Sequence, residues 1–198
     1  MKKHILFFPV AVALLLGSCN NNGGQDSKEA ADSINESRIE SREDGAADTS
    51  ARVAVAEDDA EFAVKAAAGG LAEVELGALA QQKGVSAEVK DFGGMMVKDH
   101  SAANDELKAL AHKKGITLPA TPDTDEQKLK ADLSAKSGAD FDKAYIKAMI
   151  DDHEKDVRLF EKASRELKDP ELQQFATTKL PVLRSHLEHC QAIGKKVK

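Results

Sequence analysis

Three of the chain's six histidines stand where a helix would turn them inward. His100 closes the run Met96-Val97-Lys98-Asp99-His100, and His153 closes Met149-Ile150-Asp151-Asp152-His153. Each His lies one turn past its Met, on the same helical face. His186 follows Leu183 by one turn, and Glu73 and Glu75 interrupt a stretch rich in Ala, Leu and Gly.

Imidazoles and a carboxylate converging in a helical core suit a transition metal, and bundle cores commonly build such sites. The candidate ligands are therefore Glu73, His100, His153 and His186. Asp99 and Asp152 are further ligands or partners that orient the rings. Met96 and Met149 would add thioethers suited to copper, and zinc and iron also fit an imidazole and carboxylate set. The competing reading is a buried polar network, in which Asp, Glu and His satisfy one another and fix helix register. The chain would then be a structural or interaction module without a metal.

Other reactive residues point to less. His186, His189 and Cys190 have spacings of three and four, which could bind a metal alone, but a chance solvent-exposed group is the simpler reading. His112, beside Lys113 and Lys114, reads as a cation at a helix C-terminus. No Ser sits in a strand–turn–helix elbow, and there is no phosphate-binding glycine loop. Gly69-Gly70 and Gly93-Gly94 fall within helical patterns, where they permit close packing or local kinks. These features describe a binding protein rather than an enzyme.

The elements that must position these residues are helices. From Glu57 onward apolar residues recur at spacings of three and four. A first helix is predicted over 58–83, with Ala67, Leu71, Val74 and Ala78 on one face. A second, over 86–114, carries Val89, Phe92, Met96, His100, Ala103, Leu107 and Leu110, with Ser86 as N-cap and Gly115 as the C′ residue. A crossover loop over 115–122 leads to a short helix over 125–137. Phe141, Tyr145, Met149, His153, Val157, Phe160 and Leu167 mark the next long helix. Asp169 and Pro170 then start the last, which carries Leu172, Phe175, Leu183, Leu187 and Cys190, with a kink expected at Pro181. With no period-two run of β-branched residues, the expected fold is all-α, an antiparallel four-helix bundle with a short extra helix in its crossover.

Composition fits that reading. Among 198 residues 4% are aromatic, with no Trp and one Tyr, so small and aliphatic side chains must fill the core. The net charge of -6 argues against nucleic acid as a partner, since phosphate binding needs a concentrated basic face. The N-terminal segment reads as an address. Met1-Lys2-Lys3-His4 is basic, and 5–16 is an apolar run too short to span a bilayer. Leu16-Gly17-Ser18-Cys19 then matches a bacterial lipobox, which predicts a signal peptide over 1–18 and a lipid on Cys19. Asn20 follows, not Asp, favouring the outer membrane facing the periplasm over the inner membrane. With Cys19 acylated, Cys190 has no partner for an internal disulfide. Residues 19–56, poor in large apolar side chains, are expected to form a disordered acidic tether reaching roughly 30–35 Å, leaving 57–194 as the folded domain.

The segments Gly69 to Gly77, Met96 to His100, Leu118-Pro119, Phe141 to Ile146, Met149 to His153 and Leu180 to His186 resemble, in order and spacing, a bacterial envelope family known as domain of unknown function 4142. The resemblance covers about 57–193 and implies a ferritin-like bundle with no established activity. Ferritins build di-iron sites from Glu-x-x-His pairs. Here Val97, Ile150 and Leu183 stand three residues before the histidines, so a mononuclear or metal-free site is expected in place of a di-iron oxidase.

Overall fold

The computed structural model describes residues 26–43 and 55–197. The basic N-terminal residues, the apolar run and Cys19 lie outside the described residues, as do 44–54. Six helices are described: α1 Ser27–Glu43, α2 Glu57–Lys83, α3 Ala87–Lys114, α4 Thr124–Ser134, α5 Gly138–Glu166 and α6 Pro170–Gly194. No helix among the described residues is long and apolar enough to cross a membrane.

Helices α2 and α3 form one hairpin and α5 and α6 another, and the hairpins pack through α2 on α5 and α3 on α6. Contacts at both ends show that neighbouring helices run antiparallel. Asp59, at the start of α2, accepts hydrogen bonds from the N–H groups of Lys168 and Asp169, beyond the end of α5 (2.9 and 3.1 Å). Asp142, at the start of α5, likewise accepts from Val85 and Ser86 in the α2–α3 turn (3.1 and 2.8 Å). Each buried aspartate thus holds the turn of the opposite hairpin. Between α3 and α6, Lys114 pairs with Asp169 and Glu171 at one end, and Lys196 pairs with Glu88 at the other. The crossover containing α4 carries the chain back along the bundle, where Lys130 reaches Glu75 of α2. The architecture is an all-α antiparallel four-helix bundle with an extra helix in the crossover.

Local sequence accounts for the helix ends. Gly115 closes α3 in the left-handed region (φ 74°), where a residue without Cβ is unstrained. The Asp169 side chain accepts from the N–H groups of Glu171 and Leu172 (both 3.0 Å), and Pro170 occupies the first turn of α6. Ser86 stands at the N-cap of α3 without a side-chain cap; Asp142 takes its N–H instead. Helix α6 continues through Pro181.

Two expectations are corrected. The inward face of α2 is Ala63, Ala66, Ala67, Gly70, Glu73, Leu76, Gly77 and Ala80, whereas Leu71, Val74 and Ala78 are only half-buried flanks. Small residues line this face because α3 comes very close. A Cβ built on Gly77 would stand 2.6 Å from the Gly93 carbonyl oxygen, and one on Gly93 equally close to that of Gly77.

The second correction concerns the tether: 27–43 is a helix docked on the domain. Its inward stripe is Ala31, Asn35 and Ile39. The Asn35 amide brackets Thr117, donating to its carbonyl at 2.9 Å and accepting from its N–H at 2.8 Å. Asp26 accepts from the Thr124 N–H, and Ser27 from that of Ala120. The crossover loop thereby satisfies its backbone through α1, which large apolar content alone did not reveal.

Candidate metal centre

The core divides into two apolar clusters. One contains Phe62, Leu107, Phe160 and Phe175, and the other Leu76, Phe92, Met96, Tyr145, Met149 and Cys190. Along every bundle helix the chain passes from one cluster to the other, and the polar residues lie at the crossing point. There α2 supplies Glu73, α3 Asp99 and His100, α5 Asp152, His153 and Asp156, and α6 His186.

One ring nitrogen from each of His100, His153 and His186 lies within 4.8 Å of one from each of the others. Nitrogens bound to one ion at about 2.0–2.1 Å would stand at most about 4.2 Å apart, so small ring rotations close the set. Glu73 sits among them, with Oε2 2.5 Å from His100 Nδ1 and Oε1 3.3 Å from His153 Nε2. The latter pair lacks hydrogen-bond geometry.

The second nitrogen of each ring explains the arrangement. His153 Nδ1–H donates to the Met149 carbonyl at 2.9 Å, and His186 Nε2 meets Asp99 Oδ2 at 3.1 Å. His100 Nδ1 lies against Glu73 Oε2 in the ion-pair contact above. Each imidazole is thus fixed through one nitrogen, whereas His100 Nε2, His153 Nε2 and His186 Nδ1 are buried without a hydrogen-bond partner. This pattern, one nitrogen held by an acceptor and one left bare, is how proteins present imidazole to a metal.

Electrostatics keeps the rings neutral. Burial lowers the pKa of all three, and in His153 burial together with His100 and His186 takes it down to about 3. Neutral imidazole is the ligating form. The carboxyls move the other way. Burial and then Asp152 push Glu73 well above the usual range, and burial and then Asp156 raise Asp152 to about 7. Asp156 is only half-buried as a residue, but its carboxyl is raised too, by desolvation and by Glu73. Glu126 of α4 rises to about 7 through burial and Asp152. Among the described residues no Lys or Arg forms an ion pair with any of the four.

A cavity of about 270 Å³ leads to this layer. Its lining includes Glu73, Asp99, His100, Asp156 and His186 together with the apolar Leu107, Phe160, Phe175 and Leu183. Gly70 also borders it, and a Cβ there would stand 2.1 Å from the Asn104 side-chain oxygen.

The chain matches the family described as a domain of unknown function (DUF4142) over residues 44–193. It belongs to this family. The DUF4142 bundle is similar in fold to a crystallised DUF305 fragment from Deinococcus radiodurans, with a TM-score of 0.64 and 13% identity over 72% of this chain and 98% of that one. None of the curated proteins matches.

Within this DUF4142 domain, Glu73, His100, His153 and His186 converge, with Asp99 and Asp152 beside them. Met149 meets the site through its backbone carbonyl, and Met96 and Met149 side chains belong to the apolar cluster. His189 is exposed and edge-on to Phe92. Cys190 is fully buried, its thiol donating to the Leu187 carbonyl, so His186, His189 and Cys190 do not form a solvent-exposed group. Asp156 and Glu126 went unnoticed in the sequence. The spacing Asp152-His153-x-x-Asp156 places Asp156 one turn on from both and could have exposed it; nothing local places Glu126.

Proposed function

We propose that this chain is a membrane-tethered envelope lipoprotein whose helical bundle binds one transition-metal ion through His100, His153 and His186, with Glu73 completing the set. The observation that carries the reading is the three bare, buried ring nitrogens. A self-satisfied polar network would pair them; unpaired, each costs free energy. A metal ion would use all three lone pairs at once. It would also supply the positive charge that the surrounding carboxyls lack.

Three neutral imidazoles and one carboxylate suit zinc, copper(II) or iron(II). The cavity gives such an ion a path from solvent. The role assigned is binding rather than turnover, in keeping with a sequence that carries no nucleophile–base motif. The lipobox supports a lipid on Cys19 holding the domain at the outer membrane, facing the periplasm, with Cys19→Ser expected to release the protein from membrane fractions.

Titration of tag-free protein with zinc, copper(II) and iron(II) tests the metal. One tight equivalent is expected, and its loss in the His100→Ala/His153→Ala variant. No tight binding, or binding unchanged in that variant, overturns the proposal. Equal loss of thermal stability with and without metal would instead favour an interaction module whose histidines only set packing.

A further inference from the structure

The imidazoles account for only half of the polar layer. Beside the imidazoles, one carboxylate oxygen from each of Glu73, Asp152 and Asp156 lies within 4.8 Å of one from each of the others. Three carboxyls so close repel one another once ionised, so they must either keep protons between them or share a cation. The described ion pairs offer nothing of the kind: Glu73 meets only His100 and His153, and Asp152 and Asp156 meet no cation.

Two of these groups are also unsatisfied. Glu73 Oε1 and Asp152 Oδ2 are buried without a hydrogen-bond partner, in residues only 1% and 7% exposed. Glu126 Oε2, from α4, is unpartnered as well. A cluster of acids on a surface needs no explanation, since water solvates it. In the interior, carboxylate oxygens without donors call for one.

We infer that Glu73, Asp152 and Asp156 form a second cation site, made of oxygen ligands and joined to the imidazole site through the shared Glu73 carboxylate. This inference deepens the metal-binding reading above and rests on it for the neighbouring ion. Glu73 is placed to serve both, its Oε2 directed at His100 and its Oε1 beside His153. Helix α5 contributes to both sites from one turn, with His153 toward the rings and Asp152 and Asp156 toward the carboxyls. Glu73 and Asp156 line the cavity, so the second site shares its entrance.

The chemistry of the two halves differs. Imidazole suits the borderline transition metals, whereas an all-carboxylate set with room for water suits oxygen-preferring divalent cations such as manganese(II) or magnesium. The bundle would then hold two unlike ions side by side.

Full-length protein carrying one equivalent of zinc, titrated with manganese(II) and followed by the electron paramagnetic resonance of free manganese, tests this. The expected result is uptake of one manganese per chain. In the Asp156→Asn variant, manganese binding should weaken at least tenfold while the zinc equivalent is kept. Asp156→Ser serves in its place if that variant loses its helical circular dichroism. Manganese left free by wild-type protein that holds its zinc overturns the second site, as does manganese uptake unaffected by the substitutions. Failure of zinc itself to bind counts instead against the imidazole site, and manganese titration of the metal-free chain still reads the carboxylate site.

Discussion

Glu73 Oε2 and His100 Nδ1 lie 2.5 Å apart in the interior, on adjacent helices, with both side chains almost fully buried. Burial drives each toward its neutral form, raising Glu73 and lowering His100. The contact therefore joins two groups that both resist charge. Glu73→Gln keeps the shape and an acceptor for the ring while removing a carboxyl that is costly to ionise. Metal-free thermal stability should be unchanged or higher. Metal affinity should fall by at least about 10–100-fold, the loss that follows removal of even an orienting partner of a ligand. Calorimetric titration alongside thermal melts separates the two effects.

Stability of the metal-free protein should depend on pH in a direction set by the carboxyls. Asp152 and Glu126 rise to about 7 in the folded chain, from ordinary values of 3.8 and 4.5. A raised pKa means the folded state holds the proton more tightly. Their contribution is then fully present below the ordinary values and lost as pH rises through about 7. His153 runs the opposite way: lowered from 6.5 to about 3, it contributes above 6.5 and loses that contribution as pH falls. Above pH 6.5 only the carboxyl trend remains. Melts of metal-free protein from there to about pH 8 should show a falling midpoint. Saturating metal should flatten the fall, because a cation takes the place of the protons.

Gly93 and Gly77 allow α2 and α3 to touch backbone to backbone, and a methyl at either meets a carbonyl oxygen rather than a side chain that could swing away. Gly93→Ala should destabilise the bundle by about 1–3 kcal/mol in urea denaturation, through overpacking. Gly69→Ala serves as the control, since a Cβ there has only the Asp156 carboxylate, at 3.7 Å.

Asn35→Ala should free α1 without unfolding the bundle. It removes both hydrogen bonds to Thr117, which are part-buried beneath α1, a cost of about 1–3 kcal/mol. Limited proteolysis should cut within 27–43 sooner than in the wild type, and amide exchange there should quicken, while the main thermal transition moves little.

The sequence by itself determined the four bundle helices and most of their residues that could carry chemistry. A stripe such as Phe92, Met96, His100 needs only the 3.6-residue repeat to be placed on one face, and Gly115 and Asp169 act through local backbone geometry. For the same reason the four bundle helices were legible almost to their ends, and the histidines were legible as inward-facing. Tertiary structure decided what depends on distance between helices. It turned α2 so that Ala63, Ala67, Gly70 and Gly77, not Leu71 and Val74, face the core, and the Gly77–Gly93 approach leaves no room for a side chain at that crossing. It gave α1 its place through Asn35, a polar residue that no hydrophobic pattern marks. It brought Asp156 and Glu126 beside Glu73, and it left three ring nitrogens bare. Periodicity specifies a face, but whether a buried polar atom finds a partner depends on what the other helices bring to it.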